Sequence, residues 1–305
     1  MERKLCVSES SVRGNAVSSC KRLIINADDL GADEGRNEGI FEAIEAGAVT
    51  SASILANGPA LDHALRRIRG LGSTRVSWGL HLNLSEGSPL SSGLRSLVGP
   101  HGDFLGKAAA HRLLMREGDR VLEEEVAEEL DAQVKALQQA GIGLRHLDGH
   151  QHIHVFPAVA RAAILTGRRH SIPWFRIPEE PDPPPWAGHL PLELEEEART
   201  FSRLARTARS LLGPEGGVRA ADHFRGLYLK GRPSQAILRD MIRALPEGLT
   251  EFMVHPGRVP GSANTGPFST FSTVDREKEL EVLLEPEFGD LLAGVILTPF
   301  PEVLN

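Results

Sequence analysis

Two adjacent carboxylates and several histidines stand where apolar, strand-like runs give way to turn residues. Asp28 and Asp29 close the first such run, and His81, His150 and His255 end later runs in the same way. In a parallel α/β barrel, the carboxyl ends of the strands face one shared pocket. A divalent metal that activates water needs about three protein ligands and an open position, usually from imidazole and carboxylate groups. The pattern therefore predicts a metal-dependent hydrolase.

The segment 146–154, HLDGHQHIH, is the densest cluster of such groups, with four histidines at even spacing. Strand alternation places three of its residues on one face, continued by two more if the chain stays extended: His146, Asp148 and His150, then His152 and His154. A lone histidine at a strand end is usually an ordinary polar group. The conjunction with the paired aspartates favours a metal site instead.

The two adjacent aspartates are expected to differ in role. Neighbouring residues of a strand point to opposite sides, so only one of Asp28 and Asp29 should bind the metal as a strand-end ligand. The other can act on the water. Zinc, manganese, iron, nickel and magnesium all accept nitrogen and oxygen ligands of this kind, and we expect one ion, magnesium or zinc.

The elements that must position these groups follow a regular alternation. Apolar runs of strand length alternate with helical patterns, which is typical of a parallel sheet with crossover helices. We predict strands near 23–29, 51–56, 76–83, 144–150, 173–177, 221–226, 250–255 and 294–298. Seven or eight such units indicate a parallel (β/α) barrel that is TIM-like, closed or irregular. The first strand is apolar on both faces, so only its last residues can reach solvent.

Two helices can be placed from their ends. Asn37 is predicted to cap a helix over 38–46, which Gly47 would end in a left-handed conformation. A second, amphipathic helix is predicted from Asp119 to Ala140, with acidic residues in its positive first turns. We interpret the acidic run 123–125 as a solvated helix face.

Three long stretches interrupt the alternation, near 85–119, 178–190 and 257–273. Loops longer than about 12–15 residues are uncommon without a purpose, so we expect them to border the substrate cleft. For the first two, a disordered surface insertion is the alternative. We predict a flexible tail over 1–20 and a single barrel domain over 21–305.

Composition excludes several classes of function. Of the 305 residues, 41% are hydrophobic and no apolar stretch approaches the roughly 20 residues that cross a bilayer, which argues against a membrane protein. A formal net charge of -7 argues against nucleic acid as the main partner and favours a small or neutral substrate. The oligomeric state stays open, with a homodimer among the alternatives.

The N-terminal tail carries both cysteines, Cys6 and Cys20. It has no apolar core of the kind that a secretory signal requires, so a cytoplasmic location is expected. Two thiols in a flexible segment make neither a disulfide framework nor a four-ligand zinc site, and we expect both to be reduced.

Several motifs together resemble the carbohydrate deacetylases of the YdjC family, to which chitooligosaccharide deacetylases belong. The segments are NADDLG (26–31), GAVTS (47–51), GLHLNL (79–84), HLDGHQHIH (146–154) and VHPG (254–257). The similarity runs in register from about Arg22 to the C-terminus, and HLNLSEG (81–87) is most similar to the animal-type members. This resemblance implies an α/β barrel, a divalent metal and hydrolysis of an N-acetyl group from an amino sugar.

Carried over by motif, the resemblance implies that Asp29, His81 and His150 bind the metal and that Asp28 is the general base. The order within the pair follows by analogy with other sugar deacetylases that use an Asp-Asp pair, and the reverse order stays open. His255 is the candidate acid for the leaving nitrogen, because the unperturbed pKa of an imidazole lies near neutrality.

Four further residues are candidates for binding the substrate or for orienting the metal ligands through hydrogen bonds: His152, His154, Arg176 and Asp222. His152 and His154 are also weaker alternatives to His255 as the acid. Arg176 and Asp222 lie at the ends of two more predicted strands, where they could bind sugar hydroxyls or orient a histidine. Ordinary salt bridges or caps explain them equally well.

Other functions remain as alternatives. Metal-dependent barrel amidohydrolases and phosphoesterases typically place a His-x-His pair on the first strand, where this chain has Asp-Asp. A His-His-Asp triad also serves non-haem iron oxygenases, but these usually have an all-β fold. A non-catalytic carbohydrate-binding protein of the same fold would be expected to lose a ligand or the base, whereas this chain keeps every motif residue.

Overall fold

The computed structural model describes residues 20–72, 76–180, 182–213, 217–259, 268 and 273–302. Its strands are β1 (Lys21–Leu30), β2 (Ser51–Ile54), β3 (Ser77–Leu82), β4 (Leu144–Gly149), β5 (Trp174–Phe175), β6 (His223–Arg225), β7 (Gly248–Val254) and β8 (Val295–Leu297). Its helices are α1 (Glu34–Glu45), α2 (Leu61–Gly70), α3 (Lys107–Leu114), α4 (Arg120–Gln139), α5 (Pro157–Arg169), α6 (Leu192–Leu212), α7 (Gln235–Arg243), α8 (Thr273–Leu284) and α9 (Pro286–Leu291). Every predicted strand is found, within a few residues of its predicted ends.

All pairings in the sheet are parallel, in the order β5-β4-β3-β2-β1-β7-β6, with β8 added beside β1. One side of β1 pairs with β7, and its other side is shared by β8 near Lys21 and β2 beyond Asn26. An isolated parallel bridge from Trp174 to Arg219 joins the β5 edge to the segment that leads into β6. The prediction of a parallel α/β fold with an irregular barrel is confirmed.

From Leu23 onward, β1 is buried along its whole length, as expected of a strand at the centre of a sheet. Leu23, Ile24 and Ile25 are fully buried. Strands buried on both faces, with helices packed outside, are typical of parallel sheets. After Lys21 and Arg22 at the start of the strand, the next polar side chain is Asn26, so the buried polar groups of β1 are confined to its carboxyl end.

The first helix begins four residues earlier than predicted. Asp33, in an extended conformation, caps α1 by accepting the Arg36 N–H through its side chain. The prediction that Asn37 is the cap is wrong, because Asn37 is buried inside the helix. There its side chain accepts the Gly31 N–H and donates to the Ala60 carbonyl. Gly47 does adopt the predicted left-handed conformation, with φ 74°.

The long helix α4 is confirmed, but not the interpretation of its whole acidic run as solvated. Asp119 caps α4 by accepting the Leu122 N–H. Glu123 and Glu124 are at least partly exposed. Glu125 instead is buried, and it accepts the N–H groups of Ser96 and Leu97 from the preceding long loop. A carboxylate that satisfies backbone donors can be buried, and spacing alone does not reveal such donors.

The three long stretches have different outcomes. The stretch 85–119 is ordered against α4 and contains α3, so its reading as a disordered insertion is wrong. In 178–190 the chain makes a short 3-10 turn over Pro185–Ala187. Much of 257–273, namely 260–267 and 269–272, lies outside the described residues, and so do residues 1–19 of the predicted tail with Cys6. Within the described ranges, no helix combines the length and apolarity needed to cross a membrane.

Candidate metal centre

The carboxyl ends of β1, β3, β4 and β7 meet at the floor of a cleft of about 650 Å³. The predicted ligands, base and acid all line it: Asp28, Asp29, His81, His150 and His255. These residues come from four separate strand ends that lie as much as 227 positions apart in the chain, from 28 to 255. The parallel sheet therefore brings them to one place.

Both carboxylates of the pair reach this cleft because β1 is irregular at its end. The register with β2 shifts between Ala27 and Leu30, and Asp29 adopts a left-handed φ of 68°. The expectation that strand alternation sends Asp28 and Asp29 to opposite sides is therefore wrong. Left-handed backbone is uncommon outside glycine, but aspartate tolerates it better than most residues. Such strain persists where the surrounding contacts hold it, often at functional sites.

Asp29 lies between the two predicted histidine ligands. Its Oδ1 is 2.8 Å from Nδ1 of His150 and 3.2 Å from Nε2 of His81. Its Oδ2 contacts the guanidinium of Arg276. Burial alone would raise the pKa of Asp29, but His150 and Arg276 hold it well below its usual value. Asp29 is thus an ionised carboxylate between two imidazoles.

The donor set fits a divalent cation. One ligand atom each from Asp29, His81 and His150 can be chosen so that all three lie within 4.8 Å of one another, and all three residues are buried. Two imidazole nitrogens and one carboxylate oxygen form the three-ligand set of hydrolytic metal sites, which leaves a further position open. A second buried group, formed by Asp28, His81 and Asp148, also meets the distance limit. That group contacts the guanidinium of Arg176, which already supplies its positive charge.

The ring of His81 is fixed from behind by Asp148. Nδ1 of His81 is 2.8 Å from Oδ1 of Asp148, so the other nitrogen, Nε2, faces Asp29. Burial would lower the pKa of His81, but Asp148 and Asp28 raise it to about 10. Without a cation this imidazole is protonated on both nitrogens, and metal binding must displace the proton on Nε2. Sequence reasoning assigned no such role to Asp148, although it stands two residues from both His146 and His150.

Asp28 is held by a buried arginine. Arg176 donates to its Oδ2 at 2.6 Å and to its Oδ1 at 2.7 Å, and Asn26 donates to Oδ1 at 2.8 Å. The same guanidinium also contacts Asp148 and Glu251, each at 2.7 Å. Burial would lower the pKa of Arg176, but Asp148 and Asp28 raise it well above its usual value. Arg176 is fully buried behind Asp28, so it orients a carboxylate and does not reach the cleft.

His255 lies beside Asp28 at the end of β7. Its Nε2 is 3.8 Å from Oδ2 of Asp28, and its backbone N–H donates to Glu279. Burial lowers the pKa of His255 to about 3, which outweighs the opposing effect of Asp28. The expectation of a pKa near neutrality does not hold, and the imidazole is neutral at pH 7.

The two histidines that follow His150 do not continue the strand. β4 ends at Gly149, and residues 150–155 form a 3-10 turn in which Gln151 and His152 have left-handed φ values of 54° and 57°. The condition for their alternation, a chain that stays extended, is therefore not met. His152 lines the cleft with its ring centroid 4.8 Å from that of Phe201. His154 is fully buried, and its Nε2 lies 3.1 Å from the Arg176 carbonyl oxygen.

Burial also keeps both of these imidazoles neutral. It lowers the pKa of His152 well below its usual value and that of His154 to about 3, in the latter case against the opposing effect of Asp148, and the positive charge of Arg176 lowers both pKa values further. His152 thus offers a neutral donor and acceptor to the cleft. His154 is a support beneath it.

Asp222 is not brought to the site. It precedes β6, at the amino end of the strand, and its Oδ2 accepts the Leu249 N–H at 2.8 Å near the start of β7. In a parallel sheet this is the opposite end from the cleft. The predicted strand over 221–226 included Asp222, but an apolar run does not show at which end of a strand a polar group stands.

Glu86 is a site residue that sequence reasoning missed. Its Oε2 lies 2.9 Å from Nε2 of His150, the ring nitrogen that faces away from Asp29. Phe268 packs against the same imidazole, with ring centroids 5.4 Å apart. Glu86 belongs to the segment HLNLSEG, which begins at the predicted ligand His81. Its proximity to His81 in the sequence was the signal that could have identified it.

The walls of the cleft combine apolar surface with a charged rim. Apolar side chains come from α6 and from two neighbouring segments: Leu194, Ala198, Phe201, Leu227 and Met253. At the rim, Glu197 lies between Lys107 and Lys230, each 3.6 Å away. A largely apolar cleft with a few convergent polar groups is typical of small-molecule sites.

Comparisons with known proteins agree with this geometry. The model of the YdjC-like protein family matches residues 22–294. Proteins named carbohydrate deacetylase are similar to this chain: that of Mus musculus is 38% identical over 291 residues, covering 89% of this chain and 91% of its own. That of Homo sapiens is also 38% identical, with coverages of 89% and 87%. That of Brevibacillus brevis is 30% identical over 266 residues, with coverages of 87% and 92%.

A solved structure from Enterococcus faecalis V583, provisionally described as a cellobiose-phosphate cleavage protein, superposes with a TM-score of 0.71. The superposition covers 92% of this chain and 98% of that one, at 24% identity. At this identity the likeness supports the fold alone.

Proposed function

This chain belongs to the YdjC-like protein family, and we propose that it is a metal-dependent deacetylase. Its substrate is an acetylated amino sugar or oligosaccharide, from which it releases acetate. The observation that carries the proposal is that ligand atoms of Asp29, His81 and His150 lie within 4.8 Å of one another at the floor of a cleft, with Asp28 beside them. The names of the similar proteins support the same reaction.

Asp29, His81 and His150 would hold the ion. When bound there, a divalent metal polarises the acetamide carbonyl and lowers the pKa of water. Zinc and magnesium are the expected ions, and two imidazole ligands favour zinc, because magnesium prefers oxygen ligands. Arg276 stabilises the ionised form of Asp29 on the side that faces away from the histidines.

Asp28 acts as the general base. It removes a proton from the attacking water, whose oxygen forms a bond to the acetyl carbon. The bidentate contact with Arg176 fixes the direction of the Asp28 oxygens, so the base is positioned before the substrate arrives. The buried Asn26 amide completes the support at Oδ1.

His255 protonates the leaving nitrogen. It is neutral at rest, since burial lowers its pKa to about 3, and it must gain a proton during the reaction. The proton that His255 delivers to nitrogen is the one that Asp28 takes from water, and a water molecule would relay it, because the 3.8 Å between Oδ2 of Asp28 and Nε2 of His255 is longer than a hydrogen bond. The carbon–nitrogen bond breaks, and acetate and the free amine leave.

The cleft binds the sugar. Its apolar wall on α6 suits the face of a sugar ring, and the polar ring of His152 and the charged rim suit hydroxyl groups. This division of surface suits a neutral, highly hydroxylated substrate.

The reaction is tested by acetate release. Purified protein is incubated with N-acetylglucosamine oligomers and other acetylated amino sugars, with and without a chelator, and acetate is measured. We expect release that the chelator stops and that added zinc restores. Release that is insensitive to chelation would remove the metal from the mechanism, and absence of release from every metal-loaded sample would remove the function.

The roles within the aspartate pair are tested by Asp28→Asn. This variant should keep its metal content and lose turnover, because the amide cannot take a proton from water. Asp29→Asn is the matched change at the neighbouring position and should lose the metal. If Asp28→Asn loses the metal instead, the assignment of ligand and base is inverted.

A further inference from the structure

Both ring nitrogens of His150 have a carboxylate partner. Nδ1 lies 2.8 Å from Oδ1 of Asp29, and Nε2 lies 2.9 Å from Oε2 of Glu86. An ionised carboxylate only accepts hydrogen bonds, and a neutral imidazole carries one N–H and one lone pair. When a cation binds the lone pair of one ring nitrogen, the other ring nitrogen must carry the hydrogen and donate it to its own carboxylate partner.

His81 shows the same arrangement with its nitrogens exchanged. Its Nδ1 points to Asp148 at 2.8 Å and its Nε2 to Asp29 at 3.2 Å. Each imidazole thus presents one nitrogen to Asp29 and the other to a separate buried carboxylate. Asp148 supports His81, and Glu86 supports His150.

We propose that Glu86 is a positioning residue of the metal site, which accepts the Nε2–H of His150 and so commits His150 to bind the metal through Nδ1. This inference rests on the proposed function, because it requires that His150 is a metal ligand. It predicts mixed ligation, with Nε2 from His81 and Nδ1 from His150. A metal-bound histidine commonly donates its other N–H to a carboxylate, which fixes the tautomer and ring orientation.

The other neighbour of Nε2 does not compete for this role. Nε2 of His150 is 3.4 Å from Nε2 of Gln151, which is longer than its distance to Glu86. The amide oxygen of Gln151 is engaged with His111 at 3.1 Å, so its NH2 group faces His150. Because an NH2 group cannot accept a hydrogen bond, Glu86 is the acceptor available to the Nε2–H.

The backbone at Glu86 is held independently of its side chain. Its carbonyl oxygen accepts a hydrogen bond from Nδ2 of Asn83 at 2.6 Å, and its N–H donates one to Oδ1 of Asn83 at 3.2 Å. Asn83 is fixed in turn by Gln133 of α4, which accepts its N–H and donates to its carbonyl oxygen. A substitution at Glu86 therefore removes the carboxylate but leaves the contacts that shape the loop.

Metal affinity tests the inference. Metal-free protein is titrated with Co²⁺ alone, comparing wild type, Glu86→Ala, Glu86→Gln and Glu125→Gln. We expect Glu86→Ala to bind about 10- to 100-fold more weakly than wild type. Glu86→Gln should lose less, because its amide oxygen still accepts the Nε2–H. Glu125→Gln is the control: Glu125 is a buried carboxylate that holds the same loop but does not contact a proposed ligand.

The outcomes separate a positioning role from a structural one. If all three variants weaken Co²⁺ binding equally, the effect comes from the loop and the inference is overturned. If Glu86→Ala binds Co²⁺ as tightly as wild type does, the inference is overturned as well. If wild type binds no Co²⁺, the proposed function falls together with the inference.

A measurement on wild type alone covers the case in which Glu86→Ala does not fold. In the zinc-loaded protein, long-range ¹H–¹⁵N NMR of the histidine side chains distinguishes the two nitrogens of each ring. We expect a protonated Nε2 and a metal-bound Nδ1 at His150, and the reverse at His81. Binding of zinc through Nε2 of His150 would overturn the inference while leaving the metal site intact.

Discussion

Arg176, which holds the proposed base Asp28, is surrounded by buried carboxylates. Arg176 contacts three buried carboxylates, those of Asp28, Asp148 and Glu251. Burial raises the pKa of Glu251 to about 7 despite the opposing effect of Arg176. The positive charge of Arg176 thus offsets the negative charge of these carboxylates. Its contacts also link Asp28, the proposed base, to Asp148, which supports His81.

This balance predicts that Arg176 is needed for stability as well as for activity. Arg176→Gln should lower the free energy of unfolding by about 3–5 kcal/mol, because it leaves buried carboxylates without a counter-charge. Arg206→Gln, at a half-exposed surface pair with Glu179, should cost about 0–1 kcal/mol. Urea denaturation of both variants measures the difference. Equal losses would contradict this account of Arg176.

At the scale of elements, two buried carboxylates of α4 fasten the loop that carries Glu86. Glu129 accepts the N–H groups of Leu90, at 3.0 Å, and Ser91, at 2.7 Å. Glu125 does the same for Ser96 and Leu97. α4 therefore supports the site indirectly, by holding the loop that carries Glu86, although no described residue of α4 lines the floor of the cleft.

Removing one of these anchors should open the loop locally. Glu129→Ala removes the acceptor of two partly buried N–H groups, and the loss of each hydrogen bond to the carboxylate should cost at most about 1–3 kcal/mol. Hydrogen exchange at Leu90 and Ser91 should accelerate, and the free energy of unfolding should fall by a similar amount. Glu128→Ala, one position earlier on the exposed face of α4, is the control and should change neither. Unchanged exchange in Glu129→Ala would exclude the anchoring role.

A third buried carboxylate, that of Glu180, links two loops beyond the sheet and makes stability depend on pH. Glu180 accepts the N–H groups of Gly226, at 3.0 Å, and Leu227, at 2.8 Å. Burial raises its pKa from 4.5 to about 7, although Arg225 opposes the shift. Gly226 has a φ of 138°, and a Cβ there would lie 2.9 Å from the Met253 carbonyl oxygen, so the chain requires glycine at this contact.

The sign of the pH effect follows from linkage. Between pH 4.5 and about 7 the folded state binds more protons at Glu180 than the unfolded state does, so stability falls as pH rises through this window. Below it the contribution is constant. Relative to Glu180→Gln, which does not titrate, wild type should lose up to about 3 kcal/mol across the window. Chemical denaturation of both proteins at several pH values measures this, and parallel curves would contradict it.

At the scale of the whole molecule, the parallel sheet converts distant segments into one site. β1 stands at the centre, with β7 on one side and β2 and β8 on the other, so its carboxyl end lies amid the ends of its neighbours. The site draws on strand ends from Asp28 to His255, and Arg276 of α8 contacts Asp29 from a still later segment. The proposed metal site can therefore form only when these distant segments fold together.

Metal binding should accordingly stabilise the entire fold. Zinc at a free concentration 100 times Kd should add about 2.7 kcal/mol to the free energy of unfolding, and a chelator should remove it. We expect a rise of several degrees in Tm for wild type, measured by circular dichroism. Asp29→Asn should show no such rise, and an equal rise in that variant would place the stabilising ion elsewhere.

What the sequence determined by itself was local. The apolar runs predicted the strands, their alternation with helices predicted the parallel fold, and the polar groups after them pointed to Asp28, Asp29, His81, His150 and His255. The fold is confirmed, and the five polar groups lie together, because the carboxyl ends of parallel strands share one edge and residues at strand ends are therefore close in space. The family resemblance added roles to those positions.

Only the tertiary structure decided which groups touch. The left-handed turn at Asp29, the support of His150 by Glu86 and of Asp28 by Arg176, and the distance of Asp222 from the site all depend on partners far away in the chain. The pKa of His255 likewise depends on burial, which removes the imidazole from water and disfavours its charged form. Spacing along a chain reports the period of one element, whereas contact, burial and charge balance arise only when elements pack together.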